Sequence, residues 1–316
     1  MNTHPDSLYL RPLTVRDAVR MAGEHINDHR YLAGGTDLLV NRFQGNDATP
    51  CLIDLSGIEA LHQVTITDQW LRIGALVRLN DLMTDPTVLA EFPGLQLAAH
   101  AVGSPMIRRT ATLGGNLLCE NRCSFYNQSE WWRDAVGRCL KCDGDICIAT
   151  GGRKACFSKL SSDTAPMLIA LDAQVEVAVP GDTITMPVRD LYTGDGMAPF
   201  ALPPAALVQA VLVPMGRGFR TAFRKLRRRE AVDFSSLTTA VSVDAAGKVR
   251  IVVGAVDPGP VVVEGTTADD RAQLILKAFK KARVIDNDTF PRTYRKEMIT
   301  VFLERCFADI DATTNN

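Results

Sequence analysis

Apolar residues at Val15, Ala18, Val19 and Ala22 recur at helical spacing, so residues 14–25 predict a capped helix with Thr14 or Asp17 near its start. Residues 30–33 read as a short strand that runs into Gly34-Gly35-Thr36-Asp37, and a helix over 38–43 follows. The run CLIDL at 51–55 reads as a strand. Character alternates in 64–66 and 70–73 around a short polar turn, which predicts a hairpin. One helix begins near Asn80, another spans 87–100, and a second glycine turn follows at Thr112-Leu113-Gly114-Gly115-Asn116. The stretch APMLIALDA at 165–173 predicts a buried helix, and strands at 175–179 and 183–186 flank Pro180-Gly181-Asp182. A proline-rich connector, 198–204, leads into a strand at 206–213. Pro214, Gly216 and Gly218 then mark a domain boundary. Paired strands at 237–244 and 249–256 and two helices, 269–282 and 291–307, complete the pattern.

Length and charge narrow this picture. A chain of 316 residues suits two or three subdomains. A formal net charge of −1 gives no electrostatic reason to expect nucleic acid. No apolar run approaches the ~20 residues of a membrane span, and the first residues lack the basic-then-apolar order of a secretory signal. The expectation is a cytoplasmic protein with no membrane partner. Thiols stay reduced in that compartment, so clustered cysteines point to metal or redox work rather than disulfides.

Six of the eight cysteines fall between 119 and 156, spaced C-x3-C-x15-C-x2-C-x4-C-x8-C. A zinc ribbon needs two C-x2-C knuckles, and only one is present. The ferredoxin spacings do not match either. Six thiols exceed the four that one zinc or one cluster takes, and spacing alone leaves zinc and iron–sulfur both open. Trp131 and Trp132, inside this stretch, read as core packing or as a shield around a metal centre. Cys51 and Cys306 read as ordinary buried positions.

The two glycine turns share a kit of paired glycines, a hydroxyl and a polar side chain. Glycine lets a backbone approach a ligand closely, and successive N–H groups form an anion-binding nest. Two such turns favour a diphosphate held between loops. Neither is a dinucleotide G-x-G-x-x-G nor a P-loop. His25 and His29 read as a solvated pair on a helix. The basic run Lys225, Arg227, Arg228 and Arg229 is read as a solvated face, although alternation within a strand would turn Lys225 and Arg227 inward.

Ala33-Gly34-Gly35-Thr36-Asp37-Leu38, Ala111-Thr112-Leu113-Gly114-Gly115-Asn116, Ser162-Asp163-Thr164-Ala165-Pro166 and Lys225-Leu226-Arg227-Arg228-Arg229 together resemble the FAD-binding medium subunit of the molybdenum hydroxylases, the family of xanthine dehydrogenase and carbon monoxide dehydrogenase. About 40 residues separate the G-G-N turn from S-D-x-x-P, where most members pass directly between them. With Arg122-Cys123-Ser124-Phe125-Tyr126-Asn127-Gln128-Ser129-Glu130-Trp131-Trp132-Arg133, this resembles the 4-hydroxybenzoyl-CoA reductase branch, whose flavin subunit carries an extra [4Fe–4S] cluster here.

The resemblance implies an α+β fold: a two-subdomain FAD-binding domain over 1–215 with a cysteine-rich insertion at about 119–158, then a small C-terminal α+β domain over 216–316, an antiparallel sheet with helices. It implies that Ala33, Gly34, Gly35, Thr36, Asp37 and Leu38, with Thr112, Gly114, Gly115 and Asn116, grip the FAD pyrophosphate, and that Thr110 also belongs to the cofactor site. Ala101 and Leu207 would lie beside the cofactor, Asp163 would bond its adenosine or ribityl portion, and Lys225 would sit near the flavin ring. Cluster ligands would be Cys123, Cys139, Cys147 and Cys156, with Cys119 and Cys142 spare and a Cys139/Cys142 exchange open. No substrate-converting residue is expected on this chain. Implied partners are a large molybdenum-cofactor subunit and a small [2Fe–2S] subunit, in a dimer of heterotrimers, with ferredoxin or another electron carrier. The competing readings are an NADH-oxidising flavoprotein with structural zinc in the cysteine loop, and a non-catalytic zinc-stapled scaffold.

Overall fold

The computed structural model describes residues 8–313. The chain begins with β1 (Leu8–Leu10), α1 (Val15–Glu24), β2 (His29–Leu32), α2 (Leu38–Phe43) and β3 (Cys51–Asp54). β3 lies between β1 and β2 and runs parallel to both. Thr14 caps α1, its hydroxyl accepting from the Asp17 amide at 3.1 Å. The helix buries Ala18, Val19 and Ala22 in one core with Ile53 and Leu55, and with Leu207 from a later strand. His25 caps the end of α1 and His29 opens β2, so the two histidines share no helix face; the His29 ring contacts the His25 carbonyl instead.

The hairpin β4 (Val64–Ile66) and β5 (Trp70–Gly74) forms as the alternation predicts. Five short helices follow: α3 (Leu79–Thr84), α4 (Pro86–Glu91), α5 (Pro93–His100), α6 (Pro105–Arg108) and α7 (Leu113–Leu117). The single helix expected over 87–100 is broken. Pro93 has no N–H to continue the ladder, and Phe92 before it leaves helical geometry at φ −134°, ψ 53°. Inside the cysteine segment lies α8 (Glu130–Val136), which the sequence reading did not anticipate. After it come α9 (Thr164–Ala170), β6 (Gln174–Val179), β7 (Asp182–Pro187) and β8 (Leu207–Pro214). The antiparallel sheet has the order β4-β5-β8-β6-β7.

The last part is a second antiparallel sheet in the order β12-β11-β10-β9, from β9 (Arg220–Leu226), β10 (Leu237–Val243), β11 (Lys248–Gly254) and β12 (Val261–Thr266). It is packed by α10 (Arg271–Lys281) and α11 (Arg292–Ala312). This is the mixed helix-and-sheet fold expected. All residues of α9 are buried, and the helix packs on β10 and β11. Its last carbonyls are satisfied from that sheet: Arg250 donates to Ile169 at 3.1 Å and Ser242 to Ala170 at 2.5 Å. No helix among the described residues is long and apolar enough to cross a membrane.

Candidate functional site

A cavity of about 350 Å³ opens where the end of β2, the start of α2, the α7 turn and β8 meet. Ala33, Gly34, Gly35, Thr36, Asp37 and Leu38 line it, as do Thr112, Gly114, Gly115, Asn116, Asp163 and Leu207. Ala101, Thr110 and Lys225 are not on its wall. Thr110 stands directly behind Gly34: a Cβ added there would come within 2.0 Å of the Thr110 carbonyl oxygen. Gly34 therefore lets the two loops touch, whereas Gly35 supplies a left-handed turn at φ +68°.

The two glycine turns look alike in sequence but differ in what they leave open. Among the described residues, the amides of Gly34, Gly35, Thr36 and Asp37 have no protein acceptor. They form an open nest at the start of α2. In the second turn the amides are already used: Leu113 donates to Val77 (2.9 Å), Gly114 to Ala75 (2.9 Å), Gly115 to the Thr112 hydroxyl (3.1 Å) and Asn116 to the Thr112 carbonyl (2.9 Å). The second turn shapes the wall, and the first carries the free donors for an anion.

The polar side chains nearby hold loops together. Asn116 Oδ1 accepts from Ser162 Oγ, the Thr164 amide and Thr164 Oγ1, at 2.9, 3.1 and 2.7 Å. Asp163 is buried against the Lys225 ammonium at 2.7 Å and also accepts from Ser235. Lys225, on β9, and Arg227, just past its end, both donate to the Ala101 carbonyl, at 2.9 and 3.2 Å, so both turn inward, while Arg229 pairs with Asp233 at the surface. Asp37 caps no amide of its own helix. Its carboxylate accepts instead from Arg122 and from the Glu120 amide, tying the glycine turn to the start of the cysteine segment. Sequence reasoning missed Arg122 and Phe234, which also line the cavity, with the guanidinium 4.3 Å over the ring. Nothing in their local pattern signals that contact, which joins positions 112 residues apart.

A second, small cavity of about 10 Å³ lies within the cysteine segment, with Cys123, Cys139, Cys147 and Cys156 on its wall. Cys119 faces the larger cavity instead, and Cys142 lines neither. Burial pushes the Cys123 thiol up to about 11, and charge on Cys156 or Cys139 pushes it the same way. Burial raises Cys139 too, and Cys156, Cys142 and Cys147 add to it. Thiols that so oppose one another's ionisation ligate together only with a cationic centre between them. All eight cysteines are free. Among the described residues, no group of three or more His, Cys, Asp or Glu closes tightly enough for one metal ion. A tetrahedral zinc with ~2.3 Å bonds needs sulfurs only about 3.8 Å apart.

The insertion is fastened on three sides. Arg133 donates to Asn46 and to the Gln128 carbonyl at 2.6 Å. Lys141 donates to Glu120 and to the Gly196 carbonyl, both at 2.5 Å. Lys159 forms a buried ion pair with Asp288, and the Ser124 amide donates to Asn287 at 3.1 Å. Trp131, expected in a core or as a shield, is neither: it stands on the outer face of α8, 79 % exposed.

Known proteins resemble this chain in sequence and fold. A family model described as the FAD binding domain in molybdopterin dehydrogenase matches residues 3–216. The aldehyde oxidoreductase FAD-binding subunit PaoB of Escherichia coli (strain K12) is 31% identical over 258 residues, 78% of this chain and 81% of that protein. The carbon monoxide dehydrogenase medium chain of Hydrogenophaga pseudoflava is 26% identical over 281 residues, 87% of this chain and 82% of its own. A solved Cu,Mo-CO dehydrogenase chain has the same fold, with a TM-score of 0.77 at 22% identity over 96% of this chain and 97% of that one. The match spans well over half of the chain and contains both glycine turns, and with it the chain belongs to the family of FAD-binding domains of the molybdopterin dehydrogenases.

Proposed function

We propose that this chain is the FAD-binding, electron-transferring subunit of a molybdenum hydroxylase-type oxidoreductase complex. We propose further that it carries a [4Fe–4S] cluster on Cys123, Cys139, Cys147 and Cys156, in the manner of the 4-hydroxybenzoyl-CoA reductase branch. The observation that carries the cluster reading is the partition of the thiols: these four share one cavity, while Cys119 and Cys142 lie outside it.

The open amides of Gly34 to Asp37 suit the pyrophosphate of FAD, and the apolar wall that includes Val102, Ile107 and Leu207 suits its rings. Bound FAD supplies a centre that exchanges electrons singly or in pairs. Bound iron–sulfur supplies a one-electron centre whose potential answers to burial and nearby charge. This chain's own work is then to hold both groups and to keep water from them. Asp163, on the cavity wall, pairs with Lys225 behind it, and Lys225 in turn donates to the Ala101 carbonyl.

The substrate chemistry belongs to a large molybdenum-cofactor subunit, and a small [2Fe–2S] subunit links it to this chain, in a dimer of heterotrimers. Ferredoxin or a similar carrier exchanges electrons with the complex. Residues 1–215 form the FAD-binding domain and 216–316 the C-terminal domain.

Anaerobic purification followed by iron, sulfide and flavin quantitation tests the reading. About four irons, four sulfides and one FAD per chain are expected. Zinc with FAD would contradict the cluster and favour a structural metal, and absence of FAD would contradict the flavin reading.

A further inference from the structure

We propose that the Glu120–Lys141 ion pair sets the reduction potential of the sulfur-ligated centre without ligating it; this rests on the cluster reading above. Lys141 is on the wall of the thiol cavity, and its side chain is only 7% exposed. Its ammonium is fixed from three directions: Glu120 Oε1 and the Gly196 carbonyl at 2.5 Å each, and the Tyr126 ring with its centroid at 5.2 Å. The Gly196 peptide is pressed onto one of the four thiols. A Cβ added to Gly196 would lie 2.9 Å from Cys156 Sγ and 2.1 Å from Ser158 Oγ. One peptide thus separates a buried cation from a cavity sulfur.

A fixed charge acts strongly there because little water intervenes. Reduction adds one negative charge to the centre, so the Lys141 cation favours the reduced form and the Glu120 carboxylate opposes it. Glu120 is also the bridge to the other site, since its amide donates to Asp37 at 2.9 Å. The acid that offsets Lys141 is therefore anchored to the glycine turn of the larger cavity.

The test is a redox titration, followed by electron paramagnetic resonance, on the anaerobically purified full chain. Lys141→Met, Lys141→Arg and Glu120→Gln are compared with wild type at equal iron content. Lys141→Met should lower the reduced-to-oxidised ratio about tenfold at a given potential, a shift of about 59 mV to more negative values for a one-electron couple. Glu120→Gln, which keeps an oxygen acceptor for the ammonium, should shift it the opposite way, and Lys141→Arg should stay near wild type. A purely structural clamp would not produce shifts of opposite sign. Unchanged potentials, or shifts in one direction for both charge-removing variants, would overturn the proposal. If Lys141→Met fails to hold iron, Glu120→Gln decides alone, and an unchanged potential in it is contrary. Absence of iron in wild type would instead overturn the cluster reading itself, and this inference with it.

Discussion

Between Cys119, which faces the larger cavity, and Cys123, which faces the smaller, lie only three residues, yet the two cavities are built by different means. The larger one is made of backbone. Its donors are peptide N–H groups at the start of α2, and its shape depends on glycines that let Thr110 and Ala75 come close. The smaller one is made of side chains on a segment with little regular structure, held by arginine and lysine anchors to Asn46, Gly196 and Asp288 in other parts of the molecule. Backbone sites are sensitive to a single methyl group. Side-chain sites are sensitive to which thiol faces inward and to the ion pairs that hold the loop.

Gly34→Ala should break this contrast most sharply. The added methyl meets a backbone oxygen at 2.0 Å, so one loop must move. FAD affinity should fall at least about 100-fold, ~2.8 kcal/mol, by equilibrium titration of the flavin, while iron content stays unchanged. Equal loss of both groups would mean that the cavities are not separable.

Lys159→Met should act on stability rather than on binding. Both partners of the Lys159–Asp288 pair are 5% exposed, so removal of the cation leaves a buried carboxylate. A loss of ~3–5 kcal/mol is expected in chemical denaturation, and Lys159→Met combined with Asp288→Leu should recover part of it. The same pair predicts an acid limb. Burial pushes Asp288 up, but the Lys159 charge and hydrogen bond outweigh it and hold the carboxyl at about 2. A carboxyl lowered on folding stabilises above its unfolded value near 4 and loses that contribution as pH falls from about 4 to 2. Asp288→Asn should flatten the fall in melting temperature over that window. An identical slope in the variant would show that the pair is not responsible.

The smallest effect is expected at Trp131→Ala. An exposed indole away from both cavities should change stability by less than ~0.5 kcal/mol and leave iron content alone. A marked loss of iron would restore the shielding role that its exposure argues against.

Local pattern made much of the fold legible. α2 occupies residues 38–43 as predicted, and the hairpin β4–β5 follows from its alternation. What escaped has physical causes. The helix over 87–100 looked continuous by periodicity, and Pro93 overrode it. β9 carries Arg220, Arg224 and Lys225, whose charges hide the alternation of a strand, and β1 is three residues long. At the site, the glycine turns were visible, but which turn kept free amides was not, because Val77 and Ala75 come from another segment. The cysteine count raised the expectation of a metal centre. Spacing did not decide among six thiols, since which of them face one cavity depends on how Arg133, Lys141 and Lys159 fasten the segment to distant residues. The family resemblance supplied the four positions, and those four share the cavity wall.

The most direct test of the account is the iron content of six single variants, Cys→Ala at 119, 123, 139, 142, 147 and 156, purified without oxygen. The account predicts loss of iron with FAD retained for Cys123, Cys139, Cys147 and Cys156, and near-normal iron for Cys119 and Cys142. Loss of iron in either of the latter two, with full iron in one of the four, would contradict it.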